Sequence, residues 1–250
     1  IGFGPGAWSA WVGNIIAYSN QFTGAIPSLT GLTNLQVFWV DGNQLSGNLP
    51  ALDGLSNLTT FFAGANQLTG TIPPLTGLTN LKFFEVNVNQ LTGQIPSLSG
   101  LSNLLIFAAG GNQLTGQVPA LSGVGLTNLG EFEVSINQLS GPIPKLDGLT
   151  NLGNLFVNNN QLSGPIPTLS GVGLGHLASV DVSSNQLSGS LPALNGTNMF
   201  SFLASGNKLT GAIPSLSNVV PNLMYFRVAD NQLTGPIPDL SGLPNLIEFY

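Results

Sequence analysis

The sequence predicts a solenoid of ten full coils and part of an eleventh, each coil giving one short strand to a continuous parallel sheet. Three observations carry this. The motif Asn-Gln-Leu-Ser/Thr-Gly-x-Ile-Pro recurs with small variations, its Asn falling at Asn20, Asn43, Asn66, Asn89, Asn112, Asn137, Asn160, Asn185, Asn207 and Asn231. The intervals run from 22 to 25 residues, and a period in that range marks a repeat architecture. Upstream of each Asn the apolar residues are spaced by two, as at Phe38 and Val40, which is strand periodicity. Each strand is followed by the same return path, so neighbouring strands run parallel.

Composition narrows the class further. Only 6% of the 250 residues are charged, against about a quarter in an ordinary soluble domain. Asn, Gln, Ser, Thr and Gly supply the polarity instead, and mean hydropathy is +0.32. No apolar run approaches the roughly 18 residues that a membrane span needs. A net charge of −6 with four basic residues, Lys82, Lys145, Lys208 and Arg227, argues against nucleic acid, which selects a positive footprint. There is no cysteine, so disulfides, thiol nucleophiles and zinc-thiolate sites are excluded. No metal or cofactor site is expected. The chain opens on Ile1 without a signal peptide, which fits a processed chain or a piece of a longer one.

Taken in order, Ile1–Trp11 (IGFGPGAWSAW) is a non-repeat segment, expected to lay Phe3, Trp8 and Trp11 over the open end of the first coil as a thin cap. Residues 12–250 form a single solenoid. In the Leu32–Pro50 copy the inward positions are Leu32, Leu35, Phe38, Val40, Leu45 and Leu49. A strand is expected over Val37–Asp41 and a second short extended stretch near Leu45–Ser46. Gly47 and Pro50 then turn the chain, since Pro cannot continue a ladder. The return, Ala51–Leu58, is too short and Gly-broken for an α-helix, so a 3₁₀ or irregular convex side is expected.

Three columns hold one coil on the next. Phe38, Phe61, Phe84, Phe107, Phe132, Phe202 and Phe226 form an aromatic spine, interrupted at Leu155 and Val180. The Asn column, with Asn43, Asn66, Asn89, Asn112, Asn137, Asn160 and Asn185 at its centre, satisfies backbone groups of its own and neighbouring coils. The Leu/Ile pair flanking Ser/Thr-Gly walls off the far side. Irregularities at Val124-Gly125, Val172-Gly173, Asn195-Gly196-Thr197 and Val219-Val220 all fall between the Pro and the next strand, leaving the strand face in register. The chain stops inside an eleventh strand carrying Leu243, Leu246 and Phe249.

The string L-x-x-L-x-x-F-x-V-x-x-N-x-L-S/T-G-x-I-P resembles the plant-specific subclass of leucine-rich repeat. That resemblance implies a curved, right-handed leucine-rich repeat solenoid with its parallel sheet on the concave face and ligand recognition by that face. It also implies a secreted or cell-surface setting, as in plant receptor ectodomains and polygalacturonase-inhibiting proteins. After the Pro this chain reads P-x-L-x-G-L, one residue shorter than the family's usual form, and it lacks the Cys-containing end caps. In its uniform, low-charge form it is similar to the plant-type repeats of some bacterial and other microbial surface proteins.

On a strand, side chains alternate with the core positions and face outward. The outward columns place Asp41, Glu85, Glu131, Glu133 and Asp181, five of the ten acids, on one face, with Arg227 opposing them. Trp39, Phe62, Phe83, Phe156 and Tyr225 add aromatics, and exposed apolar patches mark interaction sites. The candidate ligand-binding residues are therefore Trp39, Asp41, Phe62, Glu85, Glu131, Glu133, Phe156, Asp181, Tyr225 and Arg227. Aromatics beside carboxylates suit a protein, a peptide with a cationic segment, or a glycan.

Other chemistry weighs less. Glu131 and Glu133 lie one strand step apart, about 7 Å, within the range of two-carboxylate glycoside hydrolysis. They sit on an open, wet sheet without a pocket to separate their pKa values, so no enzyme is expected. His176 occupies the column of Asn34, Asn57 and Asn80 and reads as a substituted structural position. The sequons at Asn57 and Asn195 offer glycosylation, although the repeat already explains Asn57. The column of Thr23, Ser46, Thr69, Thr92, Thr115 and Ser140 suggests an ice-binding hydroxyl ladder, but its partner position varies through Ala25, Asn48, Thr71, Gln94 and Pro142. Sheet structure accounts for it better. The sequence thus points to a non-enzymatic recognition or adhesion module, secreted or on the cell surface. The alternative is a structural protein associating end to end into extracellular fibres through its edge strands.

Overall fold

The structure, a computed structural model, describes residues 11–169, 173–194, 198–217 and 219–250. The expectations for Phe3 and Trp8, for Val172, and for Asn195-Gly196-Thr197 lie outside the described residues. The coils form a leucine-rich repeat solenoid of parallel strands, and no helix occurs among the described residues. One sheet has eleven parallel strands in chain order, beginning Asn14–Ile16, Val37–Trp39, Thr60–Phe62, Phe83–Glu85 and Ile106–Ala108, and ending at Tyr225–Arg227 and Glu248–Phe249. This long sheet is the face that the repeat pattern assigns to the concave side.

Each strand is shorter than Val37–Asp41, ending in that copy at Trp39. The coil-to-coil ladder does continue, since Val40 N donates to Phe62 O and Gly42 N to Gly64 O. What ends the strand is left-handed backbone just before the Asn, at Gly42 with φ +64° and equivalently at Ala65, Val88, Gly111 and Ile136. The expected extended stretch near Leu45–Ser46 spans Gln44–Asn48. It pairs with its neighbours into a second, three-stranded parallel sheet, and later coils build a six-stranded one. The return side is irregular rather than 3₁₀. Leu32 N donates to Leu29 O and Leu35 N to Leu32 O, but Gly31 inside the first turn is left-handed (φ +86°), which prevents a continuous 3₁₀ run.

The core runs the length of the chain. The spine rings stack at 5.1 Å (Phe38–Phe61), 5.4 Å (Phe61–Phe84), 5.5 Å (Phe84–Phe107) and 5.6 Å (Phe107–Phe132). They are offset pairs of the kind that add to plain area burial. Leu155 and Val180 take the same buried place where the spine breaks. Trp11 does not cover the first coil. It is 88% exposed, and Val12 packs on the core instead.

Two polar ladders stitch the coils. Asn112 Nδ2 donates to Val86 O, Ala109 O and Gly110 O, while its Oδ1 accepts from Leu91 N. Asn43, Asn66, Asn89, Asn137, Asn160 and Asn185 repeat this arrangement. On the return side Asn57 Nδ2 donates to Thr33 O and Asn80 Nδ2 to Ser56 O. His176 Nδ1 meets Thr150 O in the same way at 2.9 Å. A carbonyl only accepts, so Nδ1 carries the proton there. In the sequon at Asn57 the nitrogen that would carry a glycan is thus already donating. The Val124-Gly125 insertion also stays on the return side, with Gly100 N donating to Val124 O, and Phe107 still pairs with Phe132.

Candidate functional site

The register brings the expected outward residues into straight columns. Trp39 pairs with Phe62, Phe62 with Glu85, Glu85 with Ala108, Ala108 with Glu133, and Glu133 with Phe156. Phe83 pairs with Ile106 and Ile106 with Glu131 in the adjoining column. The aromatics of the first coils gather into one cluster. Tyr18 stacks on Trp39 at 4.3 Å, Trp39 meets Phe62 edge-on at 5.5 Å, and Phe62 leans on Phe83 at 6.2 Å. Tyr18 completes a continuous apolar platform at one end of the sheet. Its place two residues before Asn20 was the available sequence signal.

The charged candidates divide into engaged and unengaged groups. Glu133 folds across Gly110, accepting from Gly110 N (2.9 Å), from Ser135 N (2.9 Å) and from the Ser135 hydroxyl. A Cβ at position 110 would collide with that carboxylate, so Gly110 is part of its seat. Asp181 accepts from Ser183 N (3.0 Å) and Ser183 Oγ (2.6 Å). Arg227 is ion-paired with Glu248 in the eleventh strand. Glu131 accepts one bond from Asn154 Nδ2 at 2.9 Å. Phe156 and Tyr225 lie coils away from the aromatic cluster.

Asp41 and Glu85 differ from these. Asp41 Oδ1 is buried with no hydrogen-bond partner, and so is the indole Nε1 of Trp39. Buried polar atoms left unpaired are rare in folded proteins and ask for an explanation. Burial first, then the charges of Asp41 and Glu131, push the Glu85 carboxyl above the ordinary carboxylate range. These two carboxylates share a notch of about 180 Å³ lined by Asp41, Phe62, Gly64, Ala65, Glu85, Asn87 and Val88. Gly64 makes the notch, because it falls between Asp41 and Asn87 in a column where a side chain would fill the space. Asn87, outward-facing in the same column, accepts from Gly110 N at 2.8 Å.

No family model and no curated protein matches the sequence. Solved structures do. The ectodomain of the Arabidopsis thaliana membrane receptor kinase GASSHO1/SCHENGEN3, solved with Casparian strip integrity factor 2, is 34% identical. It aligns over 91% of this chain and 28% of its own, with a TM-score of 0.81. The plant peptide hormone receptor RGFR1, solved with RGF2, is 32% identical over 88% of this chain and 40% of its own, with a TM-score of 0.77. A plant ice-binding protein is 26% identical over 90% of this chain and 74% of its own, with a TM-score of 0.72. The chain therefore spans well under half of either receptor chain.

Proposed function

Because this chain is a leucine-rich repeat solenoid of the plant type, we propose that it is a non-enzymatic recognition module working outside the cell. It binds a peptide or an extended protein segment along the long sheet, at the end that carries Tyr18, Trp39, Phe62 and Phe83. The observation that carries this is the aromatic platform itself. Four rings in mutual contact on an outward strand face contribute nothing to the core, while large aromatics with a polar edge are the commonest interface anchors. One of the receptors described above is a peptide hormone receptor solved with RGF2, which supports a peptide over a glycan. The carboxylates do not favour catalysis, since Glu133 is held by backbone and serine donors.

The test is a paired screen of the full chain against random peptides and a glycan array, repeated with Trp39→Ala/Phe62→Ala. The reading expects peptide binders that the double variant loses while its melting temperature stays within a few degrees. Binders indifferent to the double substitution, or glycan hits alone, contradict it. Polymers in size-exclusion chromatography would favour the fibre alternative.

A second reading has one observation in its favour. The second-sheet column of Thr23, Ser46, Thr69, Thr92, Thr115, Ser140, Ser163, Ser188, Thr210 and Thr234 is an unbroken hydroxyl row, and the chain spans most of a plant ice-binding protein. Against it, Thr92, Thr115, Ser140 and Thr210 donate to carbonyls of the preceding coil. Those bonds spend the hydroxyls on the sheet. Inhibition of ice recrystallisation by the full chain, lost on replacing Thr92 and Thr115 with Val, would establish this reading in place of the first.

A further inference from the structure

We infer that the Asp41–Glu85 notch is a pocket for one basic side chain, so that the segment bound on this face carries an Arg or Lys beside the residue that meets the aromatic platform. This rests on the peptide-recognition reading above and narrows it to a ligand chemistry. The notch is smaller than the 300 Å³ or so at which whole small-molecule sites begin, so its about 180 Å³ suits a single side chain. Its chemistry is one-sided. Asp41 and Glu85 line it, Glu131 stands close enough to act on Glu85 electrostatically, and no cation lines it. The one described basic residue on this sheet face, Arg227, is already paired with Glu248 far along the solenoid.

The atoms present ask for a donor. Asp41 is part-buried and lines the notch, and its Oδ1 accepts nothing from the protein. A carboxylate at the edge of water with unused acceptor capacity is a place for an outside donor. A guanidinium or ammonium supplies one and also offsets the like charge of Glu85. The walls suit the stem of such a side chain. The Phe62 ring packs against the methylenes of such a stem, and Ala65 and Val88 form an apolar rim. Val88 is a β-branched residue 62% exposed at φ +54°. Gly42 and Gly111 hold the equivalent left-handed position in other coils without strain. Ile136 shares that geometry in another coil, so Val88 contributes here as apolar lining rather than through its backbone strain.

The pocket also has a reason to exist at Gly64 rather than at Gly110. Along its column Asp41, Gly64, Asn87 and Gly110 follow one another. Both glycines open a gap, yet Glu133 closes the one at Gly110 by accepting from Gly110 N and from Ser135. The gap at Gly64 has carboxylates on its rim and none folded into it. One of two similar vacancies is therefore sealed from within and the other left for an outside group.

The experiment selects random peptides on the 250-residue chain, then measures each enriched peptide and its basic-to-Gln derivative against wild type and Asp41→Asn/Glu85→Gln. The inference expects enriched peptides to share an Arg or Lys. It expects about a tenfold loss from either change alone, and little further loss when both are combined, as a direct pairing requires. Peptides that need Trp39 and Phe62 but show no basic residue, or lose the same factor to the Gln change on both proteins, overturn the inference and leave the recognition reading standing. Peptides indifferent to Trp39→Ala/Phe62→Ala, or no enriched peptide, overturn both.

Discussion

Asn112→Ala tests how the coils are held together, and its cost can be worked bond by bond. Asn112 is 8% exposed and makes four hydrogen bonds. Three go from its Nδ2 to carbonyls, and each of those carbonyls keeps another donor. Val86 O retains Asn89 Nδ2, Ala109 O retains Asn137 Nδ2, and Gly110 O retains Val88 N. Leu91 N is different, because its acceptor is Asn112 Oδ1. The loss therefore concentrates on one buried N–H, worth about 1–3 kcal/mol. Asn112→Asp keeps that acceptor but turns a carboxylate oxygen toward three carbonyls, and an uncompensated buried charge costs about 3 kcal/mol or more. Asn87→Ala removes an acceptor from Gly110 N that Glu133 Oε2 also satisfies, so it should cost under about 0.5 kcal/mol. Equilibrium urea denaturation of the three variants should rank Asn87→Ala, Asn112→Ala and Asn112→Asp in rising cost, with Leu91 amide exchange accelerated in the alanine variant. Equal costs for the two alanine variants, or an aspartate milder than alanine, would refute the assignment of roles within the ladder.

Glu85→Gln should raise thermal stability at neutral pH. The folded-state pKa of Glu85 lies above its unfolded value, so its stabilising contribution is full below the unfolded pKa and is lost as pH rises through the folded one. The variant's advantage should therefore appear between acidic and neutral pH, where Asp41 and Glu131 repel the ionised group, and a melting-temperature difference that stays flat with pH would contradict this. Ile136, 59% exposed at φ +52°, should yield about 0.5–1 kcal/mol when replaced by Asn, the residue that coil neighbour Asn159 carries at the same backbone angle. A loss of stability on urea denaturation would show that Ile136 has a contact of its own. Phe107→Ala, which removes a ring stacked on both Phe84 and Phe132, should cost about 3–5 kcal/mol, and a cost below about 1 kcal/mol would mean that the spine is not what couples the coils.

Periodicity made the fold legible, because in a solenoid a residue's column is also its environment. Phe38, Phe61 and Phe84 share a place in the repeat and therefore share a core position, and Leu155 and Val180 declare themselves as replacements. The same logic placed His176 on the Asn57 ladder. What it could not show is how an outward side chain bends. Glu85 and Glu133 occupy one column, yet Glu133 lies over Gly110 and Glu85 does not, a difference set by the neighbouring coil and by the serine two residues on. Glu133-Val-Ser135 and Asp181-Val-Ser183 carry the visible trace, an acid placed to accept from a following serine. The ion pair of Arg227 needed knowledge that the eleventh strand brings Glu248 alongside. The notch at Gly64 escaped because a vacancy has no residue to name. Its signal was a glycine in a strand-face column between Asp41 and Asn87 with no acid–x–serine pair nearby to fill it.

The most direct test of the recognition surface follows the indole N–H resonance of Trp39, assigned by its loss in Trp39→Phe, while a selected peptide is titrated into the full chain. Nε1 of Trp39 has no hydrogen-bond partner in the protein and sits within the aromatic cluster, so an occupant of this face must change its environment. The account predicts a shift that saturates with the peptide's binding curve, with the amide of Gly64 moving in step. Saturable binding that leaves both resonances in place would put the binding site elsewhere on the solenoid.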